Sequence, residues 1–136
     1  MTRKWLVPIL IFIAVFVWSM QGLKGGPEVS TNEAVALMKG NPRPVVVDVR
    51  ARADYDQGHL PGALSVPFAE FKARLESLKL PKLDPVIIYS ADDARARDVT
   101  KLLYENGYQG VLTLTGGIEA WRAAGQAVTK PPVAKP

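Results

Sequence analysis

The chain has 136 residues, 48% of them hydrophobic, with 17 Lys or Arg against 13 Asp or Glu and a formal net charge of +4, which leaves room for one domain with appendages. It contains no cysteine, so disulfides, thiolate metal sites and thiol nucleophiles are excluded from its own chemistry, although either redox compartment would suit it. The surplus charge is peripheral: residues 29–128 carry 12 basic and 12 acidic side chains, and no aromatic residues interleave with basic ones as a stacking platform requires, so no nucleic-acid partner is expected.

Residues 1–4 are a basic flank. Residues 5–23, beginning Trp5-Leu6-Val7-Pro8 and apolar almost throughout, predict one transmembrane helix, since 16 to 19 helical residues span roughly 24–29 Å. Trp5 and Trp18 would sit near the two interfaces. A cleaved signal peptide shares the basic start, but the region after Trp18 lacks the pair of small residues that a signal peptidase reads, and an uncleaved anchor is the expectation. Arg3 and Lys4 precede the span and Lys24 follows it, which weights the orientation toward a cytoplasmic N-terminus. The chain is therefore expected to be a single-pass protein of a bacterial inner membrane, with its domain on the non-cytoplasmic side.

Residues 24–28 read as a flexible linker, residues 29–128 as the domain and residues 129–136 as an extended Pro-rich tail. Ser30-Thr31-Asn32-Glu33 has the form of a capping box, and the helix it opens is predicted over 31–39, with Gly40 as a left-handed cap. Val45–Val49 is a continuous β-branched run that predicts a strand buried on both faces, as in a parallel sheet covered by helices. Asp48 and Arg50 fall at its carboxyl end, where such sheets build sites; their expected role is supporting, as a charge pair that ties the loops together. One helical turn is predicted near Asp54, a turn at His59–Ala63, and a short strand over 63–66. Phe68, Phe71, Leu75 and Leu78 recur at helical spacing and predict a helix over 67–80 that docks an apolar stripe. Val86–Tyr89 predicts a central strand, residues 94–106 a helix burying Ala96, Val99, Leu102 and Leu103, and Val111–Leu114 a last strand, after which Gly116-Gly117 turn the chain into a short helix through Trp121.

The loop from Ser90 to Arg95 joins the central strand to its helix. Helix-opening N–H groups lack intrahelical partners and favour an anion there, and Arg95 adds a guanidinium, so Ser90, Ala91, Asp92, Asp93, Ala94 and Arg95 form a candidate anion cradle. Val45–Arg50, Asp54–Ala63, this loop and Leu114–Trp121, in that order and spacing, resemble a single rhodanese domain over residues 29–128. The resemblance implies a small, mainly parallel α/β sheet flanked by helices on both faces, here preceded by one transmembrane helix. It also implies a loop of the form Cys-x-x-Gly-x-Arg whose cysteine carries a persulfide. In this chain Ser90 stands at the cysteine position, Asp93 at the glycine, and Arg95 at the arginine. His59 matches a position whose role in the family is architectural.

Sulfur transfer needs a polarizable nucleophile accessible as its anion near neutrality. A serine hydroxyl keeps its proton unless a base removes it, and the loop holds no histidine. The order Asp48, His59, Ser90 would permit a hydrolase triad on paper, but nothing in the spacing supports one. Asp93 forbids the close anion approach that glycine allows, and Asp92 and Asp93, expected as helix caps, would neutralise the field an anion needs. A lone histidine makes no metal site, and no cofactor is implied. The expectation is a catalytically inactive module that binds a protein partner or small ligand at its loop face. Two alternatives stand beside it: a sulfurtransferase working without its own cysteine, or with one supplied by a partner, and a domain that only stabilises a membrane assembly.

Overall fold

A computed structural model describes residues 27–130. The predicted membrane span at residues 5–23 lies outside them, and among the described residues no helix is long and apolar enough to cross a membrane. The elements in chain order are β1 (Glu28–Val29), α1 (Thr31–Met38), β2 (Val45–Asp48), α2 (Arg52–Gln57), β3 (Leu64–Ser65), α3 (Phe68–Leu78), β4 (Val86–Tyr89), α4 (Asp93–Glu105), β5 (Val111–Leu114) and α5 (Gly117–Ala123). The strands form one sheet in the order β1-β5-β4-β2-β3, and every pairing is parallel. The expected α/β architecture is therefore present, because each β-branched run is followed by a helix that crosses back over the sheet.

Period-two alternation sends successive side chains to opposite faces, and two cores result. On one face Val47, Val86, Ile88 and Val111 meet Phe71 and Leu75 of α3 and Ala96, Val99 and Leu103 of α4. On the other, Val46, Ile87, Tyr89 and Leu114 meet Ala34 of α1 and Ile118 and Trp121 of α5. All four residues of β4 are fully buried, as a strand covered on both sides must be. Trp121 is in the core, and its indole N–H donates to Ala127 O at 2.9 Å.

Local chemistry starts and stops the helices largely as the sequence predicts. The Ser30 hydroxyl accepts from Glu33 N at 3.2 Å, the N-cap half of a capping box, and donates to the Glu33 carboxylate at 3.0 Å, so that carboxylate meets the cap's hydroxyl rather than its backbone N–H. Five expectations need correction. Gly40 is not left-handed, and α1 closes through Lys39, which keeps a right-handed backbone at φ -89°. Phe68 is 36% exposed rather than docked with Phe71 and Leu75, because it sits at the first residue of α3, at the rim of the sheet. Leu102, expected buried, is only partly so and packs against the edge of the core formed around Leu103. The linker assigned to residues 24–28 ends one residue early, since Glu28 is already paired with Thr113 in the sheet. At the other end Thr129 exchanges backbone hydrogen bonds with His59 at 2.9 and 2.7 Å, so the first tail residue belongs to the domain.

Candidate functional site

The carboxyl ends of β2, β4 and β5 lie side by side, which brings the segments after Asp48, Tyr89 and Leu114 together. Ser90 is the first residue beyond β4 and is only 3% exposed. Its neighbour across the site is the start of α5: a Cβ placed on Gly117 would stand 1.9 Å from Ser90 O. Gly117 has φ +54°, a conformation that L-residues take at a cost of about 1–2 kcal/mol. Glycine is therefore required at this position on two counts, and the β4–α4 and β5–α5 loops are locked backbone to backbone.

The carboxylates at the head of α4 behave differently from each other. Asp92 caps the helix, its Oδ1 accepting from Ala94 N at 2.9 Å, as expected. Asp93, also expected as a cap, instead lies inside the helix and reaches across the site: its Oδ2 accepts from Gly116 N at 2.9 Å. Its Oδ1 is buried with no hydrogen-bond partner among the described residues. Arg97, one turn along α4, stands 3.9 Å from Asp93 and is ion-paired with Glu28 of β1. Two of the N–H groups nearest the site, those of Ala94 and Gly116, are thus taken by the chain's own carboxylates. Ala91 and Ala94 are exposed, and the Arg95 guanidinium lies over the Phe68 ring at 5.4 Å from its centroid, making no side-chain hydrogen bond to the loop among the described residues.

Below the loop is a buried charged network. The Asp48 carboxylate, fully buried, accepts from Arg50 Nε at 3.1 Å to each oxygen and from Arg50 Nη2 at 2.7 Å. Arg50 Nη2 also donates to Gly58 O at 2.7 Å. The Tyr89 hydroxyl donates to Asp48 Oδ2 at 2.7 Å and accepts from Leu60 N at 3.1 Å. Burial, and then the Asp48 charge, push the Tyr89 hydroxyl well above the ordinary tyrosine range. Burial alone would lower Arg50, but the Asp48 hydrogen bond and charge outweigh it and hold the guanidinium above its usual value. Asp48 and Arg50 are thus paired with each other and tied to the neighbouring loops through Gly58 O and the Tyr89 hydroxyl. Tyr89 and the Leu60 amide are the members that sequence reasoning missed. A hydroxyl-bearing ring closing an otherwise aliphatic buried strand was the available signal, since a buried Tyr O–H needs a partner.

His59 is 6% exposed. Its ring stacks on Tyr55, centroids 3.7 Å apart and planes 4° from parallel, and Nδ1 lies 3.0 Å from Tyr55 O. With His59 held by Tyr55, and Asp48 by Arg50 and Tyr89, no hydrogen bond connects either residue to Ser90, so no hydrolase triad is assembled. Among the described residues the arrangement offers a serine with no base bonded to it, in a loop where the Ala94 and Gly116 amides are already bonded to carboxylates.

Comparison with known proteins places these features among relatives. Residues 30–124 match the rhodanese-like domain. The chain is 36% identical over 87 residues to a sulfurtransferase from Allochromatium vinosum, covering 64% of this chain and 79% of that protein. It is 33% identical over 79 residues to the thiosulfate sulfurtransferase GlpE of Coxiella burnetii, covering 58% of this chain and 72% of that one. Among solved structures, the rhodanese-like domain of an Anabaena protein superimposes with a TM-score of 0.68 at 28% identity, covering 81% of this chain and 87% of that one.

Proposed function

The chain belongs to the rhodanese-like domain family, and from that premise we propose that it is a catalytically inactive member, held to a membrane by residues 5–23, whose loop face binds a protein partner or a small ligand. One observation carries the reading: the residue at the nucleophile position is Ser90, in a chain with no cysteine, beneath a loop whose Ala94 and Gly116 amides are already bonded to Asp92 and Asp93. A persulfide needs a side-chain sulfur to carry it and cannot form on a hydroxyl, and an incoming anion would have to displace two intramolecular carboxylates. The apolar stretch of residues 5–23 supports a single-pass anchor in a bacterial inner membrane, with the domain on the non-cytoplasmic side.

A second reading draws on the relatives named as sulfurtransferases. In it the domain transfers sulfur with a thiol supplied by a partner. The discriminating experiment is thiosulfate:cyanide sulfur transfer by the full-length protein, alone and as Ser90→Cys with Asp93→Gly. The wild type is expected to show no turnover above the uncatalysed rate, and the double variant partial turnover with one extra sulfur on residue 90 by mass. Turnover by the wild type alone overturns the proposal.

A further inference from the structure

One patch beside the loop, reaching from Arg95 to the sheet edge, combines exposed apolar side chains with positive charge. β3 is the outermost strand beside β2. Leu64 pairs with Val47 and so shares the face of the sheet that α3 and α4 cover. That cover ends at the first residue of α3. Leu64 is left 43% exposed and Phe68 36%, whereas Phe71, one turn further along, is 1% exposed. Phe68 is nevertheless firmly placed, because its N–H donates to Val49 O at 2.9 Å, tying the start of the helix to the end of β2.

The charges around this ring are equally specific. Arg95 lies over it at 5.4 Å, a cation–π contact worth about 0.5–1 kcal/mol at an exposed site. Among the described residues no side-chain hydrogen bond engages the guanidinium, so its N–H donors are available for a planar acceptor. Arg50, Arg52, Arg74, Arg97 and Arg122 each face a carboxylate. Arg95 faces none among the described residues, although Asp92 precedes it by three positions, because the Asp92 carboxylate is turned to Ala94 N. Lys72 is exposed and stands four residues after Phe68, on the same side of α3. The acids Glu76 and Asp98 stand one turn farther along their helices. An apolar shelf is thus flanked by two cations, one of them preorganised and lacking its acid.

We propose that Leu64, Phe68, Lys72 and Arg95 form a docking surface for a partner-protein segment that presents a carboxylate beside an apolar side chain. The carboxylate would take the free edge of Arg95, and the apolar side chain would cover Phe68 and Leu64. An aromatic ring and an arginine at the centre of a patch are the residue types that carry most interface energy. This deepens the reading of the domain as a binding module and names the face and the chemistry of what it binds.

The test is selection of random peptides displayed on phage against the full-length protein in detergent. Enriched peptides are expected to carry Asp or Glu within a few residues of Leu, Ile or Phe. Their capture should fall at least tenfold with Phe68→Ala and with Arg95→Ala, each checked for an unchanged melting temperature, and should be unaffected by Leu83→Ala, an exposed leucine before β4. Arg95→Glu should instead select basic peptides. No enrichment, enrichment without acidic residues, or capture indifferent to Phe68 and Arg95 would overturn the proposal. Those results leave the catalytic reading untouched, since only sulfur transfer by the wild type bears on that.

Discussion

Removing the Tyr89 hydroxyl probes whether the buried network holds the site together. In Tyr89→Phe the ring stays, so no large cavity opens, but two hydrogen bonds vanish. The bond to Asp48 Oδ2, 2.7 Å long, has a charged acceptor, and such bonds contribute about 1.5–3 kcal/mol. The Leu60 amide, which donates to that hydroxyl at 3.1 Å, is left unpaired in the interior at a cost of about 1–3 kcal/mol. Asp48 keeps its hydrogen bonds to Arg50, so the two effects overlap, and the expected loss is about 3 kcal/mol rather than their sum. With a urea dependence of about 1.5 kcal/mol/M for a domain of this size, the unfolding midpoint should fall by about 2 M. Equilibrium urea unfolding followed by tryptophan fluorescence measures this. Tyr104→Phe is the control: its hydroxyl bonds Val111 O at 2.7 Å from a partly exposed position, and its loss should cost about 1 kcal/mol or less. A Tyr89→Phe loss no larger than that of the control would refute the reasoning, because it would mean that neither Asp48 nor the Leu60 amide depends on the phenol.

The locked loops predict that Gly117→Ala destabilises by about 3 kcal/mol or more, the left-handed backbone and the clash with Ser90 O acting together. Gly125→Ala, at φ +76° with nothing within 4 Å of its Cβ, should cost only about 1 kcal/mol; equal losses in thermal melts would dispose of the close approach as the cause. Alkaline unfolding follows from Tyr89, whose folded-state ionisation is pushed up by burial and by Asp48. Below about pH 10 both states keep the proton and stability is level; above it only the unfolded chain releases it, so stability falls by about 1.4 kcal/mol per pH unit for this residue. A denaturation series against pH, with Tyr89→Phe showing a shallower alkaline limb, checks the sign; a wild-type protein whose stability rises above pH 10 contradicts it.

The parts of this fold that could be read from the chain are those fixed locally. Val45–Val47 and Val86–Ile88 announce buried strands through their own side chains, and Ser30 and Glu33 are within reach of each other wherever they occur in a helix start. What escaped depends on distant partners. Glu28–Val29 is a strand only because β5 offers it an edge, and two residues carry no periodicity. Lys79 closes α3 in the left-handed conformation although it is no glycine, and nothing in its own residue type announces that. Asp93 reads as a cap from its place beside Asp92, yet its partner, Gly116, is 23 positions away. The site showed the same division: Ser90 as the residue that follows the buried strand could be read from the apolar run before it, whereas the Tyr89–Leu60 connection crosses 29 positions and needed the sheet to bring it about.

The direction of β1 has a practical consequence. Because it runs parallel to β5, the polypeptide comes into the sheet from the pole where the strands begin, while Ser90 and Gly117 crown the pole where they end. A molecule that approaches the pole where the strands end therefore meets the segments after β2, β4 and β5, on the side away from Glu28, where the described chain enters the sheet.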